Sequence, residues 1–389
     1  MRNSALNFIK LQNRAILCQA LIFLSILTIF CVSSYYFSFH QSLLMGFSDF
    51  ISYNSISLNG FSSYNKLELP LQHLERWFFY VALGEISNLT GINIWVTYRA
   101  FILMLIVLVF LNCFSTNRVS TFSKLASFSF IIFNPYSFRL YLASPGAICD
   151  AFFVLGILLL TVGLKDRRTW FIYFGVVICC LSRQTGIMIL PIILIYHYFF
   201  EKIAKSHLIY LGFIVGSILI SNRIIVRYVF DSNSVNYLVA HLLGVFDFFI
   251  FNFNKTQLFE FLGRLIVFML TLSPLIRMVT FTKQHLFTII FFLIIGLQPI
   301  LGGPSITGPN IQRLLALGLP LLLPILWSYK FSRNTFLSFL GLEFLISLHH
   351  HFSFLNYFEI SKYWFLGILL IVTVLSFVLI RPSLSNNEN

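Results

Sequence analysis

Four arginines carry the strongest chemical signal in this chain, because they lack an acidic neighbour at helical spacing. Arg139, Arg183, Arg223 and Arg313 have no Asp or Glu three or four positions away in either direction. Arg227 and Arg264 differ. Asp231 follows the first by four residues, Glu260 precedes the second by four, and each pair reads as a helical ion pair. An arginine at the centre of an apolar helix costs about 2.5–3.5 kcal/mol, and less where it reaches the headgroups. Snorkelling to lipid phosphate or capping a carbonyl accounts for any single one of the four. Four on one face of a membrane suit a different purpose, since a guanidinium presents parallel donors to phosphate oxygens. The chemistry they predict is retention of a phosphate or diphosphate.

Two carboxylates stand near span ends without an obvious partner. Asp49 lies in Gly46-Phe47-Ser48-Asp49-Phe50-Ile51-Ser52-Tyr53, with no Lys or Arg within ten residues. A carboxylate at the membrane boundary can take a proton from a sugar hydroxyl, although spacing alone favours a helix N-cap for Asp49. Asp150 follows Ser144-Pro145-Gly146, which also has the form of a helix start. The positive end of that helix would make Asp150 the poorer base, so it is the second choice. Among weaker features, His349-His350-His351 are consecutive, so their side chains point about 100° apart on a helix and cannot all ligate one ion. The turn-rich run Gly302-Gly303-Pro304-Ser305-Ile306-Thr307-Gly308-Pro309 leads into Arg313, but no Lys follows to make it a nucleotide loop. Five cysteines (Cys18, Cys31, Cys113, Cys179, Cys180) lie in apolar runs without metal spacing. The residues present require no metal and no cofactor.

The elements that must position these groups are apolar. Of 389 residues, 58% are hydrophobic and 10% charged, and the mean hydropathy is +0.87. A soluble domain could not hide that much apolar surface. The net charge of +13 does not point to nucleic acid, because the basic residues punctuate the apolar runs instead of forming one stripe. The reading is an all-α polytopic membrane protein, one transmembrane domain over 1–389. About twelve spans are expected, near 15–38, 93–114, 124–142, 146–164, 169–182, 185–200, 208–229, 258–276, 286–302, 312–328, 335–351 and 362–380. Each segment expected on the cytoplasmic side holds a Lys or Arg, which places both termini in the cytoplasm. Two long segments, 39–92 and 230–257, fall on the opposite face as extracytoplasmic loops. The first contains a mixed stretch at 71–88, with Glu75, Arg76 and Glu85, that reads as an interfacial helix.

The order of these features resembles the GT-C superfamily of polytopic glycosyltransferases that use polyprenyl-phosphate-linked sugars. Asp49 with Tyr53 looks like that family's catalytic acid position after the first helix. Leu74-Glu75-Arg76-Trp77-Phe78-Phe79-Tyr80 through Leu89-Thr90-Gly91-Ile92-Asn93 looks like its interfacial helix. Leu181-Ser182-Arg183-Gln184-Thr185-Gly186, ahead of Leu190-Pro191, looks like its basic turn. The likeness spans roughly the first 200 residues. It extends to bacterial exopolysaccharide-repeat polymerases, in which Asn134-Pro135-Tyr136-Ser137-Phe138-Arg139 and Gln312-Arg313 would occupy the basic positions, although Arg183 stands where those polymerases often have His.

The resemblance implies a membrane glycosyltransferase acting at the extracytoplasmic face of a bacterial inner membrane, in cell-envelope or surface polysaccharide or glycolipid assembly. Asp49 is the expected base, with Tyr53 beside it, and Arg139, Arg183, Arg223 and Arg313 are the expected phosphate ligands. The partners are a polyprenyl-phosphate-linked sugar donor, a glycan or glycolipid acceptor and membrane lipid, with no nucleic acid. The alternatives are a repeat polymerase of related fold and a non-catalytic transporter or flippase of lipid-linked sugars. Against the transporter, no internal repeat is visible and Glu343 is the one acidic residue deep in an expected span.

Overall fold

The computed structural model describes residues 20–33, 49–60, 74–200, 203–228, 237–348, 362–380 and 383–384. His349, His350 and His351 lie outside the described residues. The described residues are 85% helical, an all-α arrangement apart from one two-residue antiparallel pairing of Tyr329–Lys330 with Ser383–Leu384. Among the described residues, four helices are long and apolar enough to cross a membrane: Ile94–Ser115, Pro145–Asp166, Lys205–Tyr228 and Lys283–Leu301. Five shorter apolar helices accompany them, at Ala20–Ser33, Thr121–Phe133, Thr169–Ser182, Gln184–Phe200 and Leu366–Leu379.

The helices used below are α1 (Ala20–Ser33), α2 (Asp49–Asn59), α3 (Trp77–Thr90), α4 (Ile94–Ser115), α5 (Thr121–Phe133), α6 (Phe138–Ala143) and α7 (Ile148–Asp166). They continue with α8 (Thr169–Ser182), α9 (Ile189–Phe200), α10 (Lys205–Tyr228), α11 (Tyr237–Ile250), α12 (Lys255–Thr271), α13 (Lys283–Leu301), α14 (Ile311–Ala316), α15 (Leu323–Trp327), α16 (Arg333–Ser347) and α17 (Lys362–Leu379). Local sequence sets many of the starts. The Asn93 side chain accepts the Trp95 N–H, Ser120 that of Ser123, Asn254 those of Thr256 and Gln257, and Ser332 that of Thr335. Gly91, with φ +68°, ends α3.

Three expected spans are broken, the one at 258–276 at Leu272, between the helix ending at Thr271 and a short one at Ser273–Ile276. The stretch 124–142 divides at Asn134-Pro135, because Pro135 has no N–H to continue the ladder and drives Asn134 out of the helical region (φ −57°, ψ 126°). The Asn134 side chain then accepts the Tyr136 N–H, and Ser137 restarts the chain toward α6. The stretch 312–328 divides into α14, a 3₁₀ turn at Leu319–Leu322 and α15, where Pro320 and Pro324 each open a new short element. The expected outer segment 230–257 contains a fourteen-residue helix, α11, and is not loop throughout.

Helix α7 is the axis of the bundle. The most apolar window of Pro145–Asp166 is 89% buried, against 17% for α10, which keeps Ile209, Phe213, Ile220 and Ile224 exposed. Side chains of that kind on the outside suit contact with lipid. Helix α8 lies hard against α7 through Gly156 and Gly175: a Cβ at Gly175 would sit 2.6 Å from the Gly156 carbonyl oxygen. Small residues at such crossings let two backbones approach and gain van der Waals contact that lipid cannot supply.

Glu343 on α16 is 0% exposed, and neither carboxyl oxygen has a hydrogen-bond partner among the described residues. Burying such a group without a partner costs about 1–3 kcal/mol or more. Glu343→Met, close in length and fully apolar, is therefore expected to raise the thermal unfolding midpoint of the purified protein in detergent. A lowered midpoint would show that the carboxyl contributes an interaction to the fold.

Candidate functional site

Asp150 stands in the first turn of α7, 1% exposed, at the point where four other segments converge. A short 3₁₀ turn at Pro145–Ala147 delivers it there. Its carboxylate makes an ion pair with Nη1 of Arg183. Its second oxygen lies 3.2 Å from Nε of Arg313, in an ion-pair contact whose N–H is not directed along a hydrogen bond. Arg76 lies within electrostatic reach of the same carboxylate.

Each guanidinium is positioned by a feature of its own segment. Arg183 is extended (φ −156°, ψ 147°) between α8 and the turn Gln184–Met188, anchored by its N–H to Cys179 and by its carbonyl to Gly186. Arg313 follows the turn-rich run, in which Thr307 donates its hydroxyl to the carbonyls of Pro299 and Gly303. Pro299 and the positive φ of Gly303 (+66°) bring the chain round at that point. Gln312 then ties α14 to the Arg264 carbonyl at 3.1 Å. Arg76, in the turn before α3, donates from Nη1 to the Tyr53 hydroxyl at 2.7 Å.

An aromatic frame holds Arg76 against the start of α7. Tyr53 stacks on Tyr80 with ring centroids 4.3 Å apart and planes 15° from parallel. The Tyr80 hydroxyl donates to the Gly146 carbonyl at 2.6 Å, in the turn before Asp150. Tyr98, also buried, shares a hydrogen bond with Ser57 of α2. From α6, Tyr141 lies within electrostatic reach of Asp150, Arg183 and Arg313.

The structure thus brings Arg183, Arg313, Asp150 and Tyr53 together and recruits Arg76 and Tyr80. Arg139 does not join them. It is 0% exposed, donates to the Ser347 hydroxyl at 2.9 Å, and lies over the rings of Phe30 (5.4 Å) and Phe133 (5.7 Å). On α6 it stands two residues from Tyr141, so the two project from nearly opposite sides of the helix. Of the expected phosphate ligands, the structure therefore gathers Arg183 and Arg313, together with Arg76, and leaves Arg139 apart.

Arg223 is also set apart, paired with Glu75 at 3.1 Å with its own side chain half exposed. Burial pushes the Glu75 carboxyl above the usual carboxylate range, and Arg223 beside it opposes that shift. Asp150, expected to be unpaired, holds two arginines and is committed as an anchor. Asp49 opens α2 one helical turn before Tyr53, and its side chain lies outside the described residues.

Sequence spacing missed Arg76 because Glu75 stands next to it, which makes the pair look self-neutralising. In the structure Glu75 turns to Arg223 and Arg76 turns inward. Tyr80 carried no signal beyond being one aromatic residue among many. Among the described residues no group of His, Cys, Asp and Glu could hold a metal ion.

Three guanidiniums gather around one buried carboxylate. Clustered guanidiniums of this kind favour an anion between them. A phosphate group meets that need in both charge and donor geometry. Compared with protein-family models, curated proteins and solved structures, the chain gives no significant match.

Proposed function

We propose that this protein is a membrane glycosyltransferase whose donor is a sugar carried on a polyprenyl phosphate, with about twelve spans and the Asp150 cluster at the extracytoplasmic face. The gathering of Arg76, Arg183 and Arg313 around the buried Asp150 carboxylate carries this reading. Arg76, Arg183 and Arg313 hold the donor phosphate, Asp150 fixes two of them in place, and the polyprenyl tail lies along the apolar helices. The acceptor hydroxyl oxygen attacks the anomeric carbon as the bond from that carbon to the phosphate oxygen breaks. The phosphate leaves with the bonding electrons and is stabilised by the arginines, while Asp49 takes the hydroxyl proton. A polymerase using lipid diphosphate would place the same groups in the same roles. The second reading is a non-catalytic transporter of lipid-linked sugars, in which the same arginines bind the headgroup and no bond is broken.

Incubating the purified protein with polyprenyl-phosphate sugars and candidate acceptors, then weighing the lipid fraction by mass spectrometry, separates these readings. Release of the free polyprenyl phosphate with a glycosylated acceptor supports transfer, and a donor that binds but persists unchanged supports transport. Failure to bind any such donor removes both.

Two further outcomes are expected. Arg76→Gln should weaken donor binding by about 1–3 kcal/mol, the range for a charge-assisted contact, while Arg139→Gln leaves it unchanged. Equal effects in a direct binding titration would contradict the separation of the two residues. For the topology, Ser62→Cys should be labelled by an impermeant thiol reagent in intact cells. Labelling only after permeabilisation would invert the map.

A further inference from the structure

The end of α7 opposite Asp150 carries a second polar constellation. Asp150 and Asp166 are sixteen residues apart on one helix, which sets the two ends roughly 24 Å from each other. Around Asp166 opens a cavity of about 710 Å³, walled by the ends of α4 and α7 and by α9, α13 and the segment before α15. That volume is within the usual range for a small-molecule site.

The basic residues at this end divide into two groups. Three are engaged with the last carbonyls of α4 and the turn after it: Lys124 donates to Phe114 (2.8 Å), Lys165 to Asn117 (2.9 Å) and Arg168 to Ser115 (2.7 Å). Asp166, the one carboxylate on the cavity wall, accepts the Asn117 N–H at 2.9 Å and pairs with Arg168 at 3.4 Å. Arg118 and Arg167, which also line the cavity, are left exposed with no ion pair among the described residues.

The same two arginines have unusual backbones. Among the described residues they are the two non-glycine positions with positive φ, at 54° and 57°. A side chain there costs conformational energy that Gly would avoid. The same cavity is lined by an aromatic floor of Phe200, Phe287 and Phe291 beside the two arginines. Cations beside aromatic and aliphatic side chains make an amphipathic site.

We propose that this cavity binds the phosphate-bearing headgroup of an anionic lipid, with Arg118 and Arg167 on the phosphate and one acyl chain over the aromatic floor. This site is separate from the Asp150 cluster and does not depend on the glycosyltransferase reading. Its position at the opposite end of α7, among the basic connecting segments, suits the headgroups of the other leaflet.

The test uses the full-length protein in detergent, with native mass spectrometry and thermal unfolding as two readouts. The probes are phosphatidylglycerol, phosphatidylcholine and inorganic phosphate. Phosphatidylglycerol should be retained and should raise the unfolding midpoint, and phosphatidylcholine should do neither. Arg118→Gly and Arg167→Gly, which remove charge at positions where Gly suits the backbone, should each weaken phosphatidylglycerol retention about tenfold. The double variant should abolish it, and Arg333→Gln on α16 should leave it unchanged. Equal retention of the two lipids overturns the proposal, as does a double variant that binds like the parent. Binding of inorganic phosphate as strong as that of phosphatidylglycerol would mark a free-anion site and overturn the lipid assignment. If the double variant unfolds on purification, the single variants and the lipid co-purifying with the parent protein decide the matter by the same comparison.

Discussion

Asp150→Ala is expected to be among the most destabilising single changes in the molecule. The carboxylate is 1% exposed and faces Arg183, itself 4% exposed, with Arg313 on its other oxygen. Removing it leaves two guanidiniums facing each other in a buried site, and breaking a buried ion pair from one side costs roughly 3–5 kcal/mol. Thermal unfolding in detergent measures this directly. Two further results follow from the same charge balance. Adding phosphate should recover part of the loss, because an anion can take the carboxylate's place. Asp150→Asn combined with Arg183→Gln should be less destabilised than the sum of the two single variants, since each single change strands the other's partner. An Asp150→Ala protein that melts with the parent would mean that the cluster contributes nothing to the fold.

The second large effect concerns catalysis and rests on the proposed function. Asp49→Asn should retain expression and donor binding while turnover falls by about 10²–10⁴-fold, the range for loss of a general base. The choice of Asp49 over Asp150 is one of availability. Asp150 is held by two arginines, so its charge is already committed. Asp49 opens the helix that carries Tyr53, and Tyr53 accepts the hydrogen bond from Arg76. Turnover and binding measured side by side distinguish the base from the phosphate ligands. Arg76→Gln should act mainly on binding and Asp49→Asn on the chemical step. Near-normal turnover in Asp49→Asn would exclude it from the mechanism.

The residue types of the cluster were legible before the fold, and their pairing was not. Searching three and four positions either side of Arg183 tests for a partner on its own helix, whereas its partner is 33 residues away on another. Arg139 has the same chemistry and the same missing neighbours, yet it faces Phe30 and Phe133, because the direction of a side chain on α6 depends on how that helix docks. Helix breaks show the complementary failure. Pro135, Pro320 and Pro324 were plain in the sequence, but the apolar runs around them suggested single spans. Hydropathy reports that a segment is buried, and it averages over the residues that stop a helix. The break at Arg183, by contrast, was readable as the boundary between the spans expected at 169–182 and 185–200.

The glycine contact between α7 and α8 has a consequence for the cluster. Asp150 rides on one of these helices and Arg183 is carried at the end of the other, eight residues, or roughly 12 Å, from Gly175. The two backbones meet with no side chain between them at Gly156 and Gly175, so the helices cannot slide without steric collision. The contact therefore acts as a fulcrum. A small rotation of α8 about it displaces the guanidinium at its tip relative to the carboxylate by a lever-arm distance. The alignment of a charged site is thus fixed mechanically, by two residues that have no side chains beyond hydrogen and carry no charge.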